Sequence, residues 1–398
     1  MSESAPRHDS PPAVEGAPVA AQFLATFLKP EMLHIYRQIT ALRAFRPVVL
    51  CHNREQASAF PFDHIRLLRK APTRALRRLW QKQILRRPIT IYRSEALRMA
   101  EILDEIGAQV LHVYFGHIGV FLLPLLEICP VPVIVSFHGA DAGLELDKPV
   151  SRKLTRRMFD LATLLLVRSE SLTQRLISVG ADLSKIRLHR TGIPLGEIPF
   201  QQRTAPPDDA WRCVQACRLI AKKGLATTLR AFAEFSRAYP LATLAIAGEG
   251  PLLPELRSLA ATLDIASRVE FCGFLPQAEL RTLYARAHFF MHPSETGPDG
   301  DQEGVPNSML EAMANGLPVV ATKHGGISEA VEYGASGWLV PERDHAALAQ
   351  GLLTLAGDPA RYAQMSAAAA ARVSAAFDLT QQARLLESYY REASAASN

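Results

Sequence analysis

The chain has 398 residues, more than one ordinary hydrophobic core holds and a natural length for two domains. Hydrophobic residues are 48% and charged residues 21%, which excludes a disordered chain, and five cysteines without close pairing give no disulfide frame and point to a reducing compartment. The net charge of +5 is uneven: residues 1–199 hold 27 Lys/Arg against 18 Asp/Glu, and residues 200–398 hold 17 against 21.

Residues 1–20 are rich in Ser, Pro and Ala, carry no apolar run, and read as a disordered tail rather than a signal peptide. Glu31 to Phe45 has helical periodicity and meets Arg46-Pro47, which stops it. Val48 to Cys51 is a short buried-strand run.

The block 64–94 follows, with ten Lys/Arg and no acid. Leu76, Leu79, Trp80, Gln83 and Ile84 form an apolar helical face between the charges. A basic amphipathic helix bearing Trp suits an anionic membrane surface. The alternative is a solvated basic face whose apolar side packs on the domain. Nucleic acid is not expected, because no stacking pattern or recognised module accompanies the charge.

Beyond a helix at 94–106, strand, helix and strand alternate: Val110 to Phe115 (strand), Val120 to Ile128 (helix), Val133 to Phe137 and Leu161 to Val167 (strands), then a helix capped by Ser169. The apolar region Val110 to Phe137 is broken by His, Gly, Glu and Pro, so no stretch reaches the ~20 residues of a spanning helix. The alternation predicts an α/β fold with a parallel sheet covered on both faces, whose ligands sit at the C-terminal strand ends. Two such ends carry polar residues, Gly116-His117 and His138-Gly139-Ala140-Asp141. His117, His138 and Asp141 are therefore candidates for a site.

Gln202 to Asp209, polar and Pro-rich, reads as a linker, so the domains are expected at 21–201 and 210–375. Cys213 and Cys217 lack a second Cys/His pair, which argues against a metal. The strand from Cys213 ends at Arg218, and Arg218 with Lys223 flanks a turn suited to a diphosphate. Gly248-Glu249-Gly250-Pro251 permits close backbone approach. In His292 to Gly316, Pro306 is expected at the first position of a helix whose free amides near Asn307, Ser308 and Met309 make an anion site. Glu303 lies before that helix, and Glu311, in its second turn, can accept two vicinal hydroxyls of a ribose. Asp299-Gly300-Asp301 looks like a metal motif but is also a plain turn sequence, so no metal or other cofactor is expected.

Together these residues resemble the family-4 retaining glycosyltransferases of the GT-B fold. Glu303 and Glu311 match that family's E-x7-E motif, CRLIAKKG its Arg…Lys-Gly turn, AGEGP its Gly-x-Gly-Pro turn and FHGAD its His-Gly-x-Asp site. The wording DGDQEGVPNSMLEAMA further resembles glycosyltransferases of exopolysaccharide assembly, such as the colanic acid type.

The resemblance implies two Rossmann-like domains facing across a cleft, with residues 376–398 forming a helix that crosses back to the N-terminal domain. It implies a nucleotide-sugar donor held by Arg218, Lys223, Gly248, Gly250, Gly304, Val305, Pro306, Asn307, Ser308 and Glu311, with His138 and Glu303 at the transferred sugar. It implies an acceptor on the N-terminal domain, retention of anomeric configuration, and no metal; a lipid-linked or polysaccharide acceptor is expected, and the basic block 64–94 motivates the inner face of a bacterial membrane as its place. One departure stands out: the segment matching the family's first glycine-rich loop reads Phe-Leu-Lys-Pro-Glu-Met, and no first strand is expected before it. Another nucleotide-sugar enzyme of this fold, an epimerase or hydrolase, or a non-catalytic nucleotide-sugar-binding subunit, are the other readings.

Overall fold

The computed structural model describes residues 16–29, 32–69, 73, 78–84, 88–138, 149–297 and 303–396. It divides into two compact units. The first comprises Met1–Arg168, Leu172–Gly192 and Leu379–Asn398; the second comprises Ser169–Ser171 and Ile193–Asp378.

The first unit is built on seven strands: β1 (Val19–Phe27), β2 (Arg46–Arg54), β3 (Ile65–Leu67), β4 (Ala108–Tyr114), β5 (Val133–Phe137), β6 (Leu164–Val167) and β7 (Ile186–Leu188). Their order is β3-β2-β1-β4-β5-β6-β7, and every pairing is parallel. β1 corrects the sequence expectation twice. It starts inside the supposed tail, and it is the first strand thought absent. Its Ala-rich sequence VAAQFLATF has weak strand propensity, and a strand buried on both faces shows no alternation to reveal it. The register Val19↔Arg46 and Ala20↔Val110 places it at the sheet centre.

The expected helix 120–128 is two short ones, Gly116–Phe121 and Leu123–Leu126, because Pro124 cannot continue the first. Within the basic block, Trp80–Ile84 forms one π-helical turn. It buries Gln81, whose amide oxygen accepts from the Thr90 amide at 3.2 Å. Leu79, Trp80 and Ile84 point outward at 59, 54 and 59% exposure. These three side chains do not pack on the domain, contrary to the second of the two readings of that block. Lys70, Arg74, Leu76, Arg77, Arg86 and Arg87 lie outside the described residues.

The helix Leu379–Ala395 belongs to the first unit. Leu386, Tyr390 and Ala393 join Ala20, Val110, Ile134, Leu164 and Leu166 in one apolar cluster. Glu387, buried, accepts from the amides of Arg43 (2.6 Å) and Ala44 (2.5 Å) just past the helix Leu33–Thr40.

The second unit has six strands: β8 (Arg212–Ala216), β9 (Thr243–Ala247), β10 (Val269–Gly273), β11 (Phe289–His292), β12 (Val319–Thr322) and β13 (Gly337–Val340). Their order is β10-β9-β8-β11-β12-β13, again all parallel. The unit begins at Ile193, ahead of the segment 202–209 read as a linker. Arg203 in that segment is buried, donating to the Asn315 side chain at 2.5 Å and to the carbonyl of Ala285 at 2.7 Å. A polar, Pro-rich composition hides one anchoring arginine.

Glu387→Ala removes the acceptor of two amides at once. The first unit is expected to lose about 1–3 kcal/mol in chemical denaturation, whereas Arg391→Ala on the exposed side of the same helix changes stability by about 0.5 kcal/mol or less.

Candidate functional site

The parallel order of the second sheet sends the exits of β8, β9, β11 and β12 to one edge, where backbones must approach closely. Glycines permit this. Gly224 has φ +61°, and a Cβ there would sit 1.7 Å from the Pro293 carbonyl, so the Lys223 turn lies directly against the exit of β11. A Cβ on Gly248 would meet the Cys217 carbonyl at 1.9 Å, and one on Gly250 the Leu219 carbonyl at 2.4 Å. The Gly-x-Gly-Pro turn thereby backs the turn that carries Arg218, and Leu219 N donates to Glu249 O at 2.8 Å.

The result is a buried ion pair between Lys223 and Glu303, eighty residues apart, with side chains only 10% and 14% exposed. Burial raises the Glu303 carboxyl, but Lys223, His292 and Lys222 lower it further, to about 2. His292 is fully buried; its loss of hydration and Lys223 bring it to about 3, so its imidazole is neutral. Arg218 is exposed on the same turn.

The helix after Glu303 runs Asn307–Ala314, one residue later than expected, with Pro306 as its N-cap. The first intrahelical bond is Leu310 N to Pro306 O (3.1 Å), so the amides of Asn307, Ser308 and Met309 precede it and point out of the helix end. The Ser308 hydroxyl donates to Ala216 O at 2.7 Å and seats that end on β8. Gly304 and Val305 pack on Gly326, whose added Cβ would meet both within 3.0 Å.

Glu311 lies in the second turn of the helix Asn307–Ala314. It is 3% exposed and borders a cavity of about 360 Å³ with Tyr284, Arg281, Asn315 and residues 198–201. Burial, then Glu311, then Cys217 push the Tyr284 phenol well above its ordinary value. Cys217 also feels Lys223 and Glu303, though burial dominates and lifts its thiol to about 12. It therefore lies close enough to the Lys223–Glu303 pair to feel both charges, which its sequence context did not disclose.

In the first unit, His138 follows β5 and its Nε2 lies 2.9 Å from the Ser136 hydroxyl. Burial and Arg168, with His34, His112 and His189, hold its pKa well below 6.5. Arg168 is buried, donating to Gln38 at 2.6 Å and to Arg190 O at 3.1 Å. His117 is exposed at the start of the helix Gly116–Phe121, its ring 5.7 Å from Phe115. Asp141, Asp299 and Asp301 lie outside the described residues.

Three groups escaped the sequence reading. Arg168 stands at the end of an apolar strand with no motif around it. His324 and Glu342 belong to one cluster with Glu303: the Glu303 amide donates to His324 Nε2 at 2.9 Å, and His324 Nδ1 lies 2.6 Å from Glu342. A His ahead of Gly325-Gly326 at the end of β12 was the available signal.

Because Glu303 titrates at about 2 instead of its ordinary 4.5, its pairing stabilises the fold above about pH 4.5, and that stability is lost as pH falls toward 2. Denaturation midpoints measured between pH 2 and 6 should show a shallower acid limb in Glu303→Gln than in the unaltered chain.

Residues 198–372 match the family model described as glycosyl transferases group 1, and residues 32–197 match glycosyltransferase family 4. The amylovoran biosynthesis glycosyltransferase of Erwinia amylovora is 34% identical over 68% of this chain and 67% of that protein. A putative colanic acid biosynthesis glycosyltransferase of Salmonella typhimurium is 35% identical over 63% of this chain and 62% of that protein. Among solved structures, Anabaena HepE in complex with UDP has a TM-score of 0.73 at 19% identity, covering 94% of this chain and 100% of that one. Two parallel α/β units of this kind are the GT-B architecture, and the chain belongs to the family-4, group 1 glycosyltransferases.

Proposed function

We propose that this glycosyltransferase moves a hexose from a nucleotide-sugar to a lipid-linked or polysaccharide acceptor in bacterial exopolysaccharide or cell-surface glycan synthesis. The reading includes retention of anomeric configuration and no metal ion. One observation carries it: the buried Lys223–Glu303 pair ahead of the helix Asn307–Ala314. An ammonium has three donors, so Lys223 keeps two beyond the one it gives Glu303. Those donors, exposed Arg218 and the amides of the helix end suit a diphosphate. Charge develops on that diphosphate as it leaves, where preorganised cations and amides act most strongly.

Glu303, kept ionised, accepts hydroxyls of the transferred sugar, helped by the amides of Gly304, Val305 and Asn307. Glu311 accepts the vicinal hydroxyls of the ribose. Gly248 and Gly250 act by shaping the Arg218 turn, and Ser308 by seating the helix end. His138 is assigned the hydrogen-bonding role that the family motif implies, as a neutral imidazole, and His117 and Asp141 an acceptor-side role. Relatives named as an amylovoran biosynthesis glycosyltransferase and a putative colanic acid biosynthesis glycosyltransferase support the acceptor class, and the fold shared with a UDP complex supports the donor class.

The proposal extends to a peripheral place at the cytoplasmic face of the membrane. No helix among the described residues is long and apolar enough to cross one. The block 64–94 supports peripheral attachment instead: outward Leu67, Leu79, Trp80 and Ile84 alternate with basic residues, each worth about 1 kcal/mol near an anionic surface. Nucleic acid has no part in the reading.

Nucleoside diphosphate release is to be followed with a panel of UDP-, GDP- and ADP-sugars and glycolipid acceptors. Lys223→Ala and Glu303→Ala should each lower kcat by about a hundredfold or more, and full activity in both sinks the assignment. For attachment, the chain should sediment with phosphatidylglycerol vesicles at low salt and be released at high salt, and Leu79→Ala with Trp80→Ala should cut the bound fraction several-fold. Equal, absent binding at both salts overturns the membrane part.

A further inference from the structure

We propose that His324 and Glu342 are a positioning dyad that fixes the backbone of Glu303, and that His324 does so as the neutral tautomer with its proton on Nδ1. The inference rests on the reading that Glu303 holds the transferred sugar.

The tautomer follows from the partners. The Glu303 amide lies 2.9 Å from His324 Nε2, and an amide N–H only donates, so Nε2 accepts. The ring proton is then on Nδ1, 2.6 Å from Glu342 Oε1, which accepts it. The imidazole is buried, its side chain 1% exposed, so water does not compete for either bond.

Glu342 is tied in turn. Its Oε2 accepts from the Thr296 amide at 2.8 Å, and its Oε1 lies 3.3 Å from the Thr296 hydroxyl. Burial raises the Glu342 carboxyl, but the Thr296 amide and His324 lower it further, which keeps it ionised. The neighbouring Arg343 donates to Thr296 O at 3.1 Å and lies 3.3 Å from the Glu295 carboxylate. The backbone leaving β11 and the backbone arriving at Glu303 are therefore fastened to one carboxylate, directly at Thr296 and through His324 at Glu303.

The other side of Glu303 is held by the glycines after His324. Gly326 N donates to Glu303 O at 3.3 Å, and a Cβ on Gly325 (φ +47°) would meet that oxygen at 2.0 Å. Both backbone groups of Glu303 are thus set by His324-Gly325-Gly326. The carboxylate direction and the amides that follow it depend on this cradle. Misplacing such groups by about 1 Å costs on the order of a hundredfold in rate.

Two isosteres separate the dyad's parts. Gln at 324 carries its carbonyl oxygen near the position of Nε2, so it still accepts from Glu303. Asn carries its amide near Nδ1, so it still donates to Glu342 but leaves the Glu303 amide without an acceptor. His324→Asn should lower kcat by about ten- to a hundredfold. Its affinity for UDP or GDP, whichever raises the melting temperature more, should stay within about twofold, and His324→Gln should recover most of the rate. Equal rates in both variants overturn the proposal, whether both match the unaltered enzyme or both fall together with melting temperature and diphosphate affinity. Glu303→Ala separates the two levels. If it keeps turnover, the underlying reading of Glu303 fails. If it is inactive while His324→Asn is fully active, the dyad alone fails.

Discussion

A buried ammonium is tolerated only beside a counter-charge, and the second unit is arranged around that requirement at Lys223. Glu303 supplies the charge from a loop eighty residues later. Removing one member of such a pair leaves an uncompensated buried ion, which costs about 3–5 kcal/mol. The pair therefore obliges the exit of β8 and the segment before Asn307 to stay together. Gly224 against Pro293, Gly325 against Glu303 and Gly326 against Gly304 are the contacts that make this proximity sterically available. A parallel sheet gathers its strand exits at one edge; the charges decide which of them meet.

The two carboxylates eight residues apart do different things because their surroundings differ. Glu303 lies among Lys223, His292 and Lys222, in a setting that holds it ionised far below the usual range. Glu311, within the helix Asn307–Ala314, lies beside Tyr284 and the cavity bordered by Arg281 and Asn315. The first unit shows a complementary device. Burial, reinforced by Arg168, keeps His138 and His189 uncharged, so these rings offer hydrogen bonds rather than protons.

What could be read without coordinates was local. Apolar runs flanked by Gly and Pro marked β5, β9 and β12, and glycines at strand exits marked the turns that carry Arg218 and Lys223. Strand β1 was illegible because Ala and Gln in a doubly buried centre lack both propensity and alternation. Arg203, Arg168 and the Glu342 link to Glu303 were illegible for another reason. Each acts through a partner distant in the chain, such as Asn315, Gln38 or Thr296, and no local spacing encodes that. The wording around Glu303 and Glu311 announced a site, but not that the two residues face separate neighbourhoods.

The helix Leu379–Ala395 completes the first unit although the whole second unit is inserted before it. At a ribosome adding about 5–20 residues per second, the stretch from Gly192 to Ala395 takes on the order of 10–40 s to appear. Through that interval Ala20, Val110, Ile134, Leu164 and Leu166 have no Leu386, Tyr390 or Ala393 to cover them. The second unit, contiguous apart from Ser169–Ser171, has all its long segments before then. The order of completion in synthesis is thus the reverse of the order of sequence, and a chain truncated before residue 379 would release its N-terminal sheet with an apolar face open to aggregation.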